Sequence, residues 1–214
     1  MENRKKDIDY TLYLVTDQSL MSTSNLLSAV EQAILGGCTV IQLREKNSTS
    51  LDFYNIAKEI KDLTDSYGIP LIINDRIDIA LAIKAQGVHI GQSDIPASIV
   101  RKIIGDDMVL GVSATTVSEA KKAQSDGADY LGIGAMFPTD TKADTFYVTL
   151  AELEKIQQAV SLPLVAIGGI NKLNVATLKK AGVDGLAIVS AIISQSDIKK
   201  AAEEIKQIFL TVGE

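Results

Sequence analysis

Thiol and imidazole are nearly absent from this sequence: its 214 residues include one cysteine, Cys38, and one histidine, His89. A lone cysteine forms no internal disulfide, which fits a reducing, cytoplasmic setting, and Cys38 itself reads as a small buried hydrophobe. No apolar run reaches the roughly 18 residues that a bilayer span needs. The opening MENRKKDIDY carries charge but leads into no apolar stretch, so no signal peptide is expected there. Stretches rich in Ser, Pro or Gly are missing, as are long charge blocks, so no linker divides the chain. We expect a single compact domain over residues 1–214, with 1–10 as an N-terminal extension. The net charge of −6 weighs against nucleic acid or an anionic membrane as partner. It leaves room for a small anionic substrate, because local charge at a site can oppose the global sign.

What is present is a recurring unit: a short apolar run, a helical pattern, a glycine, then another apolar run. The runs are Leu12–Thr16, Val40–Arg44, Pro70–Asp75, Gly87–Gly91, Met108–Ser113, Tyr130–Ala135, Pro163–Gly168 and Gly185–Ser190. They lack strict polar alternation, as parallel strands covered on both faces do. Helical patterns over Leu51–Tyr67, Val117–Asp126 and Asp197–Leu210 lie between or after them. Gly37, Gly68, Gly127 and Gly182 are placed to end helices, and Pro70 and Pro163 each open a strand. Eight such units predict an α/β fold, the (β/α)8 TIM barrel, with lean loops. An open doubly wound sheet would want a G-x-G-x-x-G after its first strand, and none is there.

In such barrels chemistry gathers at the C-terminal strand ends. Here those ends carry polar residues on at least seven strands. On the second, Gln42, Arg44 and Lys46 stand at i, i+2 and i+4, so a regular strand points all three one way. Two cations on an inward face call for an anion, and a guanidinium fork with an ammonium suits phosphate oxygens. The plain alternative is a solvated strand end with a local ion pair. Asp75 ends the third run and Asp94 follows the fourth; adjacent strands lie about 4.8 Å apart, so the two carboxylates could share one ion. A few hard oxygen ligands without His or Cys suit Mg2+ rather than zinc. Alternatively, each carboxylate caps the helix that follows it.

Pro138–Lys142 puts hydroxyls and a lysine into the longest apparent loop, 137–148, which could wrap phosphate or be a polar surface loop. Gly168-Gly169 and Val189-Ser190 end the last two strands. Glycine there lets a ligand approach the backbone, and helix starts attract anions; tight turns alone would also explain them. His89 sits in an apolar strand and reads as a satisfied core histidine rather than a catalytic base.

These residues carry a resemblance. Gln-Leu-Arg-Glu-Lys (42–46), Asn-Asp-Arg (74–76), Gly-Val-His-Ile-Gly-Gln-Ser-Asp (87–94) and Gly-Val-Ser (111–113) are similar to motifs of the thiamine phosphate synthase family. So are Phe-Pro-Thr-Asp-Thr-Lys-Ala-Asp (137–144), Ala-Ile-Gly-Gly-Ile (166–170) and Ile-Val-Ser-Ala-Ile (188–192). The resemblance runs in order from about Tyr13 to Ile192. It implies a transferase that joins an aminopyrimidine methyl diphosphate to a thiazole phosphate, with Mg2+ as cofactor. By position it assigns Gln42, Leu43, Arg44, Glu45, Lys46, Asn74, Ser113 and Lys142 to the pyrimidine diphosphate, with Arg44, Lys46, Ser113 and Lys142 as catalytic groups. It assigns Asp75 and Asp94 to the metal, and Thr139, Asp140, Thr141, Gly169, Val189 and Ser190 to the thiazole phosphate. The partners implied are small-molecule substrates, and a homo-oligomer is compatible with the sequence. The chain departs from the family at Thr115, where histidine is common, at Ala135, where proline is, and at Thr149, where glycine is. The related thiazole tautomerases and a non-catalytic thiamine phosphate-binding regulator are the alternatives; neither needs the full set of cations and carboxylates.

Overall fold

The computed structural model describes residues 8–139 and 147–211. Its strands are β1 (Leu12–Val15), β2 (Val40–Leu43), β3 (Leu71–Asn74), β4 (Gly87–Ile90), β5 (Val109–Ala114), β6 (Tyr130–Ile133), β7 (Leu164–Ile167) and β8 (Gly185–Ile188). All are parallel, hydrogen-bonded in chain order, and closed by pairing of β8 with β1, with Leu14 opposite Ile188. This is the expected (β/α)8 barrel; seven strands lie within the apolar runs, and β5 runs one residue past its own, to Ala114. The carbonyls of Pro70 and Pro163, just ahead of β3 and β7, accept from the neighbouring strands' Ile41 and Leu131 (3.1 and 2.9 Å), while the missing N–H breaks no ladder.

Outside the barrel run α1 (Leu26–Leu35), α2 (Ser50–Ser66), α3 (Ile77–Ala82), α4 (Ala97–Ile104), α5 (Val117–Ser125), α6 (Leu150–Ala159), α7 (Val175–Lys180), the single turn α8 (Ser190–Ile193) and α9 (Ile198–Thr211). The three helical patterns named above correspond to α2, α5 and α9. The four glycines expected at helix ends all have positive φ (95, 67, 92 and 76°). At Gly37 the ending is fully formed: its N–H bonds the Ile34 carbonyl and that of Cys38 bonds the Ala33 carbonyl. Lys84 ends α3 in the same way at φ 54° without a glycine to announce it. No described helix is long and apolar enough to cross a membrane.

Strand alternation sorts the side chains into two layers. Leu12, Leu14, Ile41, Leu43, Leu71 and Ile73 face outward and pack under the helices. Tyr13, Val15, Val40, Ile72, Val109 and Tyr130 face inward and fill the barrel. Cys38 is buried in the outer layer, and burial pushes its thiol up to about 12, so it behaves as the expected inert hydrophobe. The two rows differ in sequence. The outward row stays aliphatic along its length. The inward row begins aliphatic at the bottom and turns polar at the top, as in Val40, Gln42, Arg44 and in Ile72, Asn74. That gradient positions the site.

Candidate active site

The polar tops of the inward rows enclose a cavity of about 470 Å³ at the C-terminal face, a size suited to small-molecule ligands. Gln42, Arg44, Lys46, Asn74, Asp75, Asp94 and Ser113 line one side, and Thr139, Gly169, Val189 and Ser190 the other. Sequence positions far apart are thereby brought together as the spacing predicts. Leu43 and Glu45 are corrections: neither lines the cavity. Alternation turns Leu43 outward, where it is wholly buried beneath the helices. Glu45 turns to the loops, accepting from Gln18 Nε2 (2.9 Å) and Ser48 Oγ (3.1 Å). Asp140, Thr141 and Lys142 lie outside the described residues.

Both cations of β2's top are held by carboxylates. Arg44 Nη1 meets Asp17 Oδ2 at 2.9 Å, and Asp17 is itself held by the N–H and hydroxyl of Ser19. Lys46 Nζ meets Asp75 Oδ2 at 2.8 Å. The Lys46 side chain is 53% exposed; a pair of this kind is worth only about 0–1 kcal/mol, so a diphosphate can take the ammonium from it at little cost. Asp17 and Arg44 lie 27 positions apart, so no local spacing in the sequence pairs them.

Neither Asp75 nor Asp94 caps a helix. The cap of α3 is Arg76 and that of α4 is Pro96, both without a side-chain cap bond. Asp94 Oδ2 instead accepts from the Gly91 N–H at 2.7 Å. Burial raises the Asp94 carboxyl pKa, and the nearby Asp75 carboxylate raises it further, against the lowering effect of the Gly91 N–H. Asp75 has a left-handed backbone, φ 62°, uncommon outside glycine. Two carboxylates that repel each other's charge across a cavity form a donor pair for a hard cation. Among the described residues no cluster of three or more His, Cys, Asp or Glu could hold a metal. Any cation bound by these two carboxylates would have to take its other oxygens from water and ligand.

Beneath the charges lies a polar floor. Tyr13, His89 and Tyr130 face inward, line the cavity and hydrogen-bond in series. Burial holds the His89 pKa down, to about 4, so its imidazole is neutral near pH 7. It is the satisfied histidine expected, but at the base of the site. The two tyrosines were not foreseen as site residues, since tyrosine in an apolar strand reads as core.

The opposite wall is mostly backbone. Gly169 has φ 66°, and a Cβ there would come within 2.4 Å of the Pro138 carbonyl oxygen. Glycine is thus needed for the β7 turn to pass under the loop after β6. Ser190 opens α8, whose first N–H groups have no acceptor within the helix and point their dipoles outward.

The sequence profile described as thiamine monophosphate synthase matches residues 12–192. The chain belongs to the thiamine monophosphate synthase family. It is 60% identical over 208 residues to the thiamine-phosphate synthase of Clostridium beijerinckii, covering 97% of this chain and 100% of that protein. The thiamine-phosphate synthase of Ruminiclostridium cellulolyticum is also 60% identical, over 206 residues, covering 96% of this chain and 98% of that one. In structure the chain is similar to thiamine phosphate pyrophosphorylase from Pyrococcus furiosus, with a TM-score of 0.88, 39% identity, and coverage of 97% and 98%. Against the family's pattern, Thr115 lines the cavity and gives both its N–H and its hydroxyl to Glu119 (2.7 and 2.8 Å). Thr149 caps α6, accepting from the Glu152 N–H, a task that its hydroxyl performs and glycine could not. Ala135 packs against Gly168, at the edge of the backbone wall.

Proposed function

We propose that the protein joins 4-amino-2-methyl-5-pyrimidinylmethyl diphosphate to thiazole phosphate, releasing thiamine phosphate and diphosphate. The observation that carries this is the division of one cavity: cations and paired carboxylates on the β2–β5 side, glycine backbone and a helix start on the β6–β8 side. Each side suits a different phosphate, and the reacting atoms meet between them. Asp75 and Asp94 would hold Mg2+, which when bound supplies positive charge next to the departing diphosphate.

The reaction needs little proton chemistry. The bond from the pyrimidine methylene carbon to the diphosphate oxygen breaks, and its electron pair leaves with diphosphate. Arg44 and Lys46 move from their carboxylate partners onto the growing negative charge, and the resemblance adds Lys142 to that task. The carbon left behind is a pyrimidinylmethyl cation, stabilised by electrons from the ring amino group. The thiazole nitrogen attacks with its free lone pair, forming the new C–N bond. No general base is required, which agrees with a site whose single histidine is buried and bonded on both ring nitrogens. Gln42, Asn74 and Ser113 orient the pyrimidine; Thr139, Gly169, Val189 and Ser190 hold the thiazole phosphate, with Asp140 and Thr141 assigned there by resemblance. The partners in this reading are small molecules, and a reducing cytoplasm suits the lone thiol. Incubation of both substrates with Mg2+ should yield thiamine phosphate, detected as its fluorescent oxidation product, and one diphosphate per turnover. No product from purified, folded protein would sink the assignment.

A further inference from the structure

The hydrogen-bonded floor has a direction, and the phosphate chemistry makes no use of it. Gln42 Nε2 donates to the Tyr13 hydroxyl (2.8 Å), which meets that of Tyr130 (2.8 Å). The Tyr130 hydroxyl meets His89 Nδ1 (2.9 Å), and His89 Nε2 meets Ser113 Oγ (2.9 Å). The two ends, Gln42 on β2 and Ser113 on β5, both face the cavity from strands that do not touch. Space for the middle of the chain is reserved by glycines on β5 and β6. A Cβ at Gly111 would lie 2.2 Å from the Tyr130 ring and 2.4 Å from His89 Nδ1, and one at Gly132 would lie 3.0 Å from His89 Cε1.

Donor counting orients the chain. A phenol has one hydrogen to give, and a neutral imidazole has one donor and one acceptor nitrogen. Tyr13 already accepts from Gln42, so its buried hydrogen goes to Tyr130. The Tyr130 hydrogen goes to His89 Nδ1, which puts the imidazole proton on Nε2 and gives Ser113 Oγ a donor. The Ser113 hydrogen is then left for the cavity. At the other end, Gln42 gives one N–H of its amide to Tyr13, which fixes how the amide lies in the cavity wall and leaves its oxygen to accept from a ligand. We propose that Tyr13, Tyr130 and His89 are positioning residues that hold Gln42 as an acceptor and Ser113 as a donor, and so select an aminopyrimidine over an oxopyrimidine. This rests on the proposed reaction. The substrate's amino group would donate to Gln42 Oε1 and a ring nitrogen would accept from Ser113. As the methylene cation forms, the amino nitrogen gives electrons to the ring and its N–H becomes more positive. The bond to Gln42 therefore strengthens in the transition state. A 4-oxo ring with the diphosphate anchored in the same way would turn a carbonyl oxygen to that of Gln42.

Because His89 is the only histidine, tag-free protein labelled with nitrogen-15 histidine gives one pair of ring signals. With the aminopyrimidine diphosphate and Mg2+ bound, the neutral tautomer protonated on Nε2 is expected; protonation on Nδ1 instead would overturn the proposal. Calorimetry with the 4-amino and 4-oxo diphosphates should show a preference for the amino form on the order of 10- to 100-fold, the scale expected when a buried polar group loses its partner. Tyr130→Phe should reduce that preference to within about threefold while leaving the Kd for inorganic diphosphate with Mg2+ unchanged. A Tyr130→Phe protein that keeps the wild-type preference would overturn the proposal. Should that variant not fold, Tyr13→Phe cuts the same chain one link earlier and carries the same expectation. Wild-type protein that binds inorganic diphosphate but neither pyrimidine would overturn the parent reaction and this proposal with it; a bound aminopyrimidine with the wrong tautomer would overturn this proposal alone.

Discussion

The two walls of the cavity are made from different materials. On the β2–β5 side the lining is side chains: Arg44, Lys46, Asn74, Asp75, Asp94 and Ser113, most of them held by another side chain or a backbone N–H. On the β6–β8 side the lining is main chain at Gly169 and at the start of α8, where what matters is how closely the backbone can be approached. Side-chain groups can be removed one at a time with the fold left standing. The backbone wall can be changed only by filling it or moving it. The halves should therefore fail in different ways, and variants on each side test whether they serve different substrates.

The largest effect is expected from the side-chain wall. Lys46→Ala should lower kcat roughly 100- to 1000-fold, the usual cost of losing one donor to developing charge, with the Kd for thiazole phosphate unchanged. Steady-state kinetics and calorimetry read both quantities; an equal loss of thiazole phosphate affinity would show that the walls are not separable. Next comes Asp94→Ala, which should raise the Mg2+ concentration needed for half-maximal rate at least about tenfold while unfolding at the wild-type denaturant concentration. Full activity of that variant at low Mg2+ would remove Asp94 from the metal site. Gly169→Val tests the other wall. Its Cβ has no room beneath Pro138 and its φ is unfavourable, so affinity for thiazole phosphate should fall about tenfold or more while that for the pyrimidine diphosphate holds. A loss confined to the diphosphate would mean that the two walls are assigned the wrong way round.

A smaller change should come from Asp17→Asn, which removes the charge holding Arg44 but keeps its shape. We expect a fall of a few-fold in kcat/KM for the diphosphate, as befits a partly exposed ion pair. The last effect is read in stability rather than turnover and concerns His89. An unfolded chain's imidazole titrates near 6.5, whereas the folded one is held at about 4. Below pH 6.5 the unfolded chain takes a proton that the folded protein refuses, so stability is full above that pH and falls as pH drops towards 4. Denaturant midpoints for wild type and His89→Gln should converge as pH falls through that window; parallel curves would show that His89 is not held neutral.

The contrast between the walls also explains what could be read from the sequence. Side-chain chemistry is written in residue identity, so the cations Arg44 and Lys46 just past β2 and the aspartates after β3 and β4 stand out in the sequence itself. The backbone wall was legible only through its glycines. Partnerships across the barrel were not legible at all. Tyr13 and Tyr130 meet because β1 and β6 face each other across a closed interior, and Arg44 finds Asp17 because β1 and β2 end side by side. Local grammar misled in one place: Asp75 and Asp94 stand where capping residues would, yet Arg76 and Pro96 hold those positions, and the carboxylates turn to Lys46 and the Gly91 N–H. At Leu43 and Glu45 a contiguous motif was carried over whole, although alternate residues of a strand cannot face the same way.

That alternation makes each strand's parity a shared constraint on folding and catalysis. Deleting one residue early in β2 would carry Arg44 beneath the helices and Leu43 into the cavity, so an uncompensated charge would enter the apolar layer as a cation left the site. The reverse holds for substitution. Exchanging only the uppermost inward residues alters the chemistry without disturbing a single contact under the helices. A protein wired in this way can tolerate wide variation in what it binds while punishing the smallest change in strand length, and its evolutionary freedom is a freedom of letters rather than of spacing.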